Sequence, residues 1–418
     1  MTAFFVSIIV YLIIDIYGFY GVLHLFEKRR PRIIASIINI VMSLLVFYSF
    51  AMVKEGIDSV TLLRYSKFNW AIGWIITAFV SQTVFAAGLL FQDVFRWILG
   101  GFRWLKSKKQ EIVEFEEEMV FVPSRRKFVT SMAMMAAAIP FTSLLYGISK
   151  GKYKFQLKRV PLAFENLPKS FDGLKIIQIS DIHAGSLDSP EDVMQAVNMI
   201  NEQNPDIILF TGDLVNSNKD EVDPYIDIFA QLKAKHGVYA TLGNHDYYGL
   251  HYIDESEHEA YWKDFYNKYE RLNFKLLNNT CEKIYAGDES FNLIGVENWG
   301  ASKWFPKMGD LDMAMKTCDD SDFNLLMSHD PTHWEQKVKD YHKNVDLTLS
   351  GHTHGMQMGI NIPGIKWSPA KFRYKHWMGL YEENGKYLYV NPGFGFLGFP
   401  GRVGIWPEIT MFELSSLA

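Results

Sequence analysis

The first third of the chain contains apolar stretches that are long enough to cross a lipid bilayer. A membrane-spanning helix needs about 20 mostly apolar residues, and the stretches that meet this length are residues 2–26, 33–53, 70–91 and 128–147. Because the bilayer interior offers no hydrogen-bond partner to the backbone, such stretches fold as helices. The sequence therefore predicts four transmembrane helices within residues 1–150 and a second domain from 151 to 418.

Two features within these stretches leave alternatives open. In the fourth stretch, Pro140 and several hydroxyl residues dilute the apolar character, so a buried soluble helix or a linker also fits. In the first stretch, Asp15 is an ionisable group and hence a candidate for a transport role. Because the other stretches supply no basic partner, we expect Asp15 to form an interhelical hydrogen bond or to lie near a thinned interface.

Basic residues next to the predicted spans orient the membrane region. An excess of Lys and Arg marks the cytoplasmic side, and the first loop contains Lys28, Arg29, Arg30 and Arg32. The second loop, residues 54–69, is nearly balanced. The third loop is basic again, through Arg103, Lys106, Lys108, Lys109, Arg125, Arg126 and Lys127. We therefore expect a multi-pass protein of the cell membrane whose second domain faces outward, to the periplasm or the extracellular space.

The end of the third loop has two equally good interpretations. Residues 124–128, Ser-Arg-Arg-Lys-Phe, match a twin-arginine export signal. They also match an ordinary basic flank of the fourth span. Both interpretations give the same orientation.

The second domain repeats one pattern, an apolar run that ends in Asp, Asn or His. Five such runs are typical of strands: residues 174–179, 207–210, 238–242, 323–327 and 345–349. The motifs that follow them are Asp181-Ile182-His183, Gly212-Asp213, Gly243-Asn244-His245-Asp246, Ser328-His329-Asp330 and Gly351-His352-Thr353-His354. In an open α/β sheet the carboxyl ends of the strands form the ligand site. The motifs are therefore expected to converge, and their oxygen and imidazole ligands favour Mn, Fe or Zn over calcium.

These motifs resemble, in kind and in order, the D-x-H, G-D, G-N-H-D/E, H and G-H-x-H blocks of the calcineurin-like metallophosphoesterases. The resemblance covers about residues 175–412 and implies an α/β fold, a four-layer αββα sandwich that follows the transmembrane helical region. It also implies two divalent metal ions as cofactors. By resemblance, Asp181, His183 and His354 hold the first metal, Asn244, His329 and His352 hold the second, and Asp213 bridges the two.

The resemblance further implies how the site works. A hydroxide that bridges the metals attacks phosphorus, while the metals neutralise the phosphoryl oxygens. His245 faces the substrate and protonates the leaving oxygen, and Asp246 fixes the tautomer of His245, although an ordinary turn cap fits Asp246 as well. Arg402 precedes a Pro-Glu-Ile strand and either contacts the phosphate or forms a structural salt bridge.

The function that these features favour is a membrane-anchored phosphoesterase acting on a phosphate ester, diester or pyrophosphate. One alternative is a hydrolase of soluble nucleotides or phosphoproteins. Another is a non-enzymatic membrane sensor, which loss of a metal ligand would mark, and none is lost. The net charge of −5 over 418 residues says little about partners, and we expect no nucleic acid among them.

A basic and aromatic stretch beyond the last motif favours a lipid substrate. It contains Lys366-Trp367, Lys371, Arg373 and Lys375-His376-Trp377. Trp and Lys both suit a membrane interface, so this stretch is predicted to lie at the headgroup layer and to guide a phospholipid or a lipid-linked sugar phosphate. A solvated loop that covers the sheet fits the same residues.

The two cysteines of the chain, Cys281 and Cys318, also leave alternatives open. On the outer side of the membrane they are able to form a disulfide, and neither has the spacing of a metal ligand. Two buried thiols fit the sequence equally well.

Overall fold

The computed structural model describes residues 2–23, 25–26, 28–58, 65–107, 123–316, 318 and 323–417. The chain divides into two compact units, Met1–Tyr146 and Gly147–Ala418. The long helices are α1 (Thr2–Leu23), α2 (Arg29–Asp58), α3 (Tyr65–Ser107) and α4 (Pro123–Ser149). Each is long and apolar enough to cross a membrane, which confirms the four predicted helices. Pro140 lies inside α4 and does not end it.

Parts of the predicted loops lie outside the described residues. These are residues 59–64 of the second loop and residues 108–122 of the third, including Lys108 and Lys109. The side chains of Lys106, Arg125 and Arg126 are also outside the description. The twin-arginine interpretation therefore stays a prediction.

Asp15 is buried in the helical unit, with 7% of its surface exposed. Its carboxylate accepts hydrogen bonds from Ser43 Oγ of α2 at 2.7 Å and from Gln82 Nε2 of α3 at 2.7 Å. Asn39 Nδ2 of α2 donates a longer bond of 3.4 Å. Hydrogen bonds between helices stabilise their association in lipid. The predicted interhelical hydrogen bond of Asp15 is confirmed.

The second unit contains two six-stranded mixed sheets. The first sheet has the order β1-β14-β2-β3-β4-β5 and the second the order β12-β13-β9-β8-β7-β6, while β10 and β11 form a separate hairpin. The strands are β1 (Gln156–Phe164), β2 (Leu174–Ile179), β3 (Ile207–Phe210), β4 (Val238–Ala240), β5 (Phe274–Leu276), β6 (Thr280–Ala286), β7 (Glu289–Gly295), β8 (Asn324–Met327), β9 (Leu347–Ser350), β10 (Ile360–Ile362), β11 (Ile365–Trp367), β12 (Gly379–Glu383), β13 (Lys386–Val390) and β14 (Glu408–Ser416).

The two sheets pack face to face and helices cover their outer faces. The helices are α5 (Pro190–Asn201), α6 (Ile226–Phe229), α7 (His258–Arg271), α8 (Leu311–Met315) and α9 (Pro331–His333). Because successive side chains of a strand point to opposite faces, Ile176 joins the core between the sheets, whereas Ile177 and Ile179 join the core that includes α5 and α7. A third core lies on the far side of the second sheet, against α8 and Trp334. This is the expected αββα sandwich.

Parallel pairing directs the strand ends to common edges. In the first sheet β2, β3 and β4 are parallel neighbours, and in the second sheet β8 and β9 are parallel neighbours. Their carboxyl ends therefore fall at one edge of each sheet, and these are the strands that the five motifs follow.

The two cysteines form a disulfide. Cys281 belongs to β6 and Cys318 follows α8, with their Cα atoms 5.9 Å apart. The alternative of two free thiols is therefore excluded in this structure.

Candidate metal centre

The predicted metal ligands lie together at the ends of the strands of both sheets. β2 is followed by Asp181 and His183, β3 by Asp213, β4 by Asn244, β8 by His329, and β9 by His352 and His354. Six of these residues form two groups, in each of which one ligand atom per residue lies within 4.8 Å of the others. The groups are Asp181, His183 and His354, and Asp213, His329 and His352. The fold thus brings Asp181 and His183 next to His354, which is more than 170 residues later in the sequence.

The backbone at these positions is strained. Positive φ is uncommon for residues with a Cβ, yet five site residues adopt it: Asp181 (52°), His183 (46°), Asp213 (60°), His352 (71°) and His354 (51°). Strain of this kind costs about 1–3 kcal/mol per residue and concentrates at functional sites, where the surrounding structure enforces it. The sandwich therefore holds these side chains in directions that an unstrained turn would not give.

Two glycines make room for the carboxylates. A Cβ at Gly243 would overlap the Asp213 carboxylate, and a Cβ at Gly351 would overlap the Asp181 carboxylate. Gly243 directly precedes Asn244, and Gly351 directly precedes His352, each within one motif. Their role is therefore close approach of the backbone to the ligand oxygens.

The two groups meet at Asp213. Its Oδ2 atom lies 3.0 Å from His329 Nε2 and 3.6 Å from His183 Nε2. His183 Nε2 also lies 3.0 Å from His354 Nε2, which in turn lies 3.2 Å from Asp181 Oδ1. One carboxylate oxygen thus faces a histidine of each group.

Unpaired polar atoms provide a test of whether the residues fit a metal. Asn244 is 1% exposed and its Oδ1 has no hydrogen-bond partner among the described residues. Buried polar atoms are nearly always paired, and the donor set of carboxylate, amide and imidazole suits a divalent transition metal. The residues therefore fit the metals that the motifs imply.

The charges of these side chains follow from burial and close pairing. Burial alone would raise the pKa of Asp213, but His329 beside it holds that pKa well below its usual value. Burial would lower the pKa of His329, but Asp213 raises it to about 10. Burial lowers the pKa of His183 to about 3 and that of His354 well below its usual value, and it raises the pKa of Asp181 to about 6. A metal must therefore displace a proton from His329, whereas His183 and His354 are already neutral.

The partners of His245 correct the role predicted for Asp246. His245 Nδ1 lies 2.6 Å from the carbonyl oxygen of Asn216, so this carbonyl, and not Asp246, fixes the tautomer. Asp246 is fully buried and accepts hydrogen bonds from the backbone N–H groups of Gly243 and Leu214, each at 2.8 Å. A carboxylate that accepts several backbone donors holds the two motif loops together, which is closer to the alternative of a turn cap.

Sequence reasoning missed two aromatic residues that surround His352, Tyr374 and Phe305, while Asp330 belongs to a motif already named. The hydroxyl of Tyr374 lies 3.0 Å from His352 Nε2, and Asp330 Oδ2 lies 3.5 Å from the same atom. The ring of Phe305 meets the His352 ring edge to face at 5.0 Å. Because Nε2 is engaged by Tyr374, Nδ1 is the nitrogen of His352 that remains for a metal, and Tyr374 orients the ring.

Arg402 is completely buried next to the first group. Its Nε donates to the carbonyl of Gly395 and its Nη2 to the carbonyl of Pro392, each at 2.8 Å. The same Nη2 lies 3.3 Å from His354 Nδ1, and burial lowers the pKa of the guanidinium from 12.5 to about 9. Nη1 has no hydrogen-bond partner among the described residues. The structure thus gives Arg402 carbonyl partners in place of the salt bridge considered from sequence.

The basic and aromatic stretch is only partly exposed. Lys371 and Arg373 are exposed as expected. Trp377 and His376 are buried, at 6% and 5% exposure, and Lys375 pairs with Glu383 at 3.1 Å. The part of this stretch that faces solvent is therefore smaller than predicted from residue types.

Two family models match the chain. The model for the transmembrane domain described as probable calcineurin-like phosphoesterase matches residues 1–152. The model for the calcineurin-like phosphoesterase matches residues 174–356, a range that includes every predicted metal ligand. The chain thus carries both parts in the expected order.

Curated relatives from distant organisms match most of this chain. An uncharacterized metallophosphoesterase of Helicobacter pylori (strain J99) is 31% identical over 300 residues, which are 71% of this chain and 74% of the relative. A Danio rerio transmembrane protein with metallophosphoesterase domain is 27% identical over 71% of this chain and 65% of the relative. An uncharacterized metallophosphoesterase of Bacillus subtilis is 29% identical over 70% of this chain and 98% of the relative. The protein belongs to the calcineurin-like metallophosphoesterase family.

Proposed function

We propose that the chain is a membrane-anchored phosphoesterase that uses two divalent metal ions. The observation that carries this proposal is the Asp213 carboxylate oxygen, which lies 3.0 Å from His329 and 3.6 Å from His183. Asp181, His183 and His354 would hold one metal, and His329 and His352 the other. Asn244, whose Oδ1 has no partner among the described residues, would join the second metal, and Asp213 would be shared. The donor set favours Mn, Fe or Zn.

The proposed reaction is hydrolysis of a phosphate ester. When bound, two metals supply neutralisation of charge on the phosphoryl oxygens and a lowered pKa for the attacking water. Water adds to phosphorus, the bond from phosphorus to the leaving oxygen breaks, and His245 gives that oxygen a proton. Because the Asn216 carbonyl holds His245 Nδ1, Nε2 is the nitrogen that serves the substrate. Arg402 Nη1, which has no hydrogen-bond partner within the described part of the chain, is the group that we assign to a phosphate oxygen.

We also infer that this site lies on the outer side of the membrane. The basic first loop, with Lys28 and Arg29, favours the cytoplasm for that loop and the opposite side for the second unit after α4. The disulfide between Cys281 and Cys318 supports the same side, since disulfides persist in oxidising compartments. An Asp288→Cys variant, at an exposed turn, should react with an impermeant maleimide on intact cells. Protection until the membrane is broken would reverse the orientation.

For the substrate we propose a lipid phosphate or a lipid-linked sugar phosphate in the same membrane. The exposed Lys371 and Arg373 near the metal centre support an anionic substrate at the headgroup layer. The competing substrates are soluble nucleotides and phosphoproteins. A panel of vesicle-embedded lipid phosphates, a nucleotide diester and a phosphopeptide separates these classes, and preference for either soluble substrate would contradict the lipid assignment.

The proposed activity is tested on the full chain after removal of metals with a chelator. Hydrolysis of bis(4-nitrophenyl) phosphate, a small soluble diester, should disappear and return when Mn, Fe or Zn is added. In each sample the protein's content of the added metal should rise in parallel with activity. Failure of every metal-loaded sample to hydrolyse any phosphate ester would favour the alternative of a ligand-binding sensor.

A further inference from the structure

The β10–β11 hairpin has its apolar face turned outward. Cross-strand partners in an antiparallel pair lie on the same face, and alternate residues change face. Ile360 pairs with Trp367 and Ile362 pairs with Ile365, so these four side chains form one apolar face. They are 47%, 40%, 56% and 53% exposed, in that order. A soluble hairpin usually buries such a face.

The opposite face of the hairpin holds it on the protein. This face carries the remaining pair, Asn361 and Lys366. Lys366 Nζ donates a hydrogen bond to the carbonyl oxygen of Met378 and lies 5.1 Å from the centre of the buried Trp377 ring. Lys366 therefore ties the hairpin to the segment that carries Trp377 and Met378, while the four apolar side chains meet no described part of the second unit closely enough to be buried.

Two further apolar side chains, Trp304 and Phe372, are strongly exposed in segments next to residues that contact His352. Trp304 is 79% exposed and Phe372 is 78% exposed, the highest exposures among the large hydrophobic residues of the described second unit. Each has exposed basic neighbours in sequence, Lys303 and Lys307 near Trp304, and Lys371 and Arg373 beside Phe372. An exposed aromatic ring with cationic neighbours therefore occurs in two segments that are distant in sequence, around Trp304 and around Phe372.

Both segments converge on one predicted metal ligand. Phe305, the residue after Trp304, packs its ring against His352 at 5.0 Å. Tyr374, two residues after Phe372, places its hydroxyl 3.0 Å from His352 Nε2. Trp304 and Phe372 thus belong to segments that border the metal centre.

We propose that these residues form a membrane-binding rim: Trp304, Ile360, Ile362, Ile365, Trp367 and Phe372. The rim inserts among the headgroups of an anionic bilayer, so that the metal centre opens at the depth of the lipid phosphates. A bilayer is the occupant because the same chain carries four helices of membrane-spanning length, and because apolar side chains flanked by Lys and Arg are what binds an anionic lipid surface. Delivery of lipid phosphate rests on the proposed function, whereas membrane contact does not.

Membrane contact is tested by fluorescence of the full chain in nanodiscs of phosphatidylcholine and phosphatidylglycerol. The two native cysteines are joined in a disulfide, so a thiol introduced by Ile362→Cys is the single free one for a bimane label. The matched control is Tyr285→Cys, which is also an exposed hairpin position, 60% exposed, on β6. Lipids with a spin label on the acyl chain should quench the probe at 362 severalfold more than the probe at 285.

Two outcomes would contradict membrane contact by the rim. Equal quenching at 362 and 285 would mean that the hairpin stays in water. A blue-shifted emission at 362 without quenching by spin-labelled lipid would mean that protein, such as a second copy of the chain, covers the apolar face. Neither outcome depends on hydrolysis, so failure of the rim is distinguishable from failure of the proposed function.

The consequence for catalysis is tested with a double variant, Ile362→Ser with Ile365→Ser, against Tyr285→Ser. All three side chains are exposed, so the changes leave the core intact. The double variant should hydrolyse phosphatidic acid in vesicles severalfold more slowly than wild type and the soluble diester at the wild-type rate. Unchanged turnover of the vesicle substrate, or an equal loss on both substrates, would contradict delivery of lipid phosphate by the rim, whereas membrane contact itself is decided by the quenching experiment.

Discussion

Buried carboxylates occur in both units of the molecule, and their neighbours differ. In the helical unit, Asp15 accepts hydrogen bonds from uncharged side chains of two other helices. In the second unit, Asp213 lies among imidazoles, beside an Asn244 oxygen that has no partner among the described residues. A carboxylate with complete hydrogen bonding stabilises packing, whereas one among unpaired ligand atoms marks a place for a cation. Burial alone does not identify a site.

The sharpest contrast comes from removing each carboxylate. Asp213→Asn should lose metal and should lose more activity than the about 10–100-fold that is typical of residues behind the ligands. Asp15→Ala should keep both metals and the turnover of a soluble diester. Metal analysis and steady-state kinetics of the two purified variants check this. Full metal content in Asp213→Asn would remove Asp213 from the centre.

A second comparison separates ligands from the proton donor. His245→Gln should lower turnover by about 10²–10⁴-fold, because it removes the acid that protonates the leaving oxygen. Metal content should stay at the wild-type level, since His245 belongs to neither ligand group. The loss should shrink for an ester with a very acidic leaving group, which needs no proton. If metal content fell together with turnover, His245 would be a ligand.

A third comparison concerns Tyr374, which contacts the proposed ligand His352 and is not itself a proposed metal ligand. Tyr374→Phe removes the hydroxyl that lies 3.0 Å from His352 Nε2. Metal affinity should fall by about 10-fold or somewhat more, as for other changes behind a ligand. The control, Tyr285→Phe, alters an exposed tyrosine far from the motifs and should have no effect. An unchanged metal dissociation constant in Tyr374→Phe would show that the contact does not orient His352.

The site should also respond to pH in a way that the helical unit does not. The pKa of His329 is raised to about 10, and a protonated imidazole cannot bind metal, so metal affinity should rise with pH below that value. If one proton is displaced for each metal bound, metal affinity should rise about tenfold per pH unit. Below about pH 6 the slope should steepen, because the pKa of Asp181 is raised to about 6. Competition with a chelator of known pH dependence measures this, and Asp15→Ala should leave the slope unchanged. A flat profile would contradict the pairing of Asp213 with His329.

The smallest expected effect lies in the helical unit. Asp15→Ala leaves Ser43 and Gln82 without their shared acceptor and should lower the free energy of unfolding in mixed detergent micelles by about 1 kcal/mol. Ser43→Ala should lower it less, since it removes only one donor. Loss of stability with unchanged hydrolysis fits a packing role. A loss of hydrolysis in the bilayer without loss of stability would instead assign a function to Asp15.

The convergence of the proposed ligands was predictable because each one follows a strand that the apolar pattern reveals. Asp181, Asp213 and His352 occupy strand ends, and parallel pairing brings such ends together. The positions of Asn216 and Tyr374 were not predictable, because they reach His245 and His352 from loops and carry no local pattern.

The surface near the site was harder to predict, because residue type alone does not show which side chains are exposed. Residue type suggested that Trp377 and His376 face the membrane, but tertiary packing buries both. The alternation in Ile360-Asn361-Ile362 and the Pro363-Gly364 turn did contain a hairpin signal. Gly364 adopts the positive φ of 82° that such a turn needs. What the sequence does not state is which face of the hairpin meets the protein, since only the position of Lys366 against Trp377 decides that.

Electron paramagnetic resonance of the manganese-loaded full chain tests the central claim most directly. Two manganese ions that share the Asp213 carboxylate are close enough for their spins to couple, so the wild type should give an exchange-coupled signal that Asp213→Asn lacks. The metal-free protein titrated with manganese should reach this signal together with full hydrolysis of the soluble diester. A signal from isolated manganese alone, at full activity, would contradict a centre of two metals.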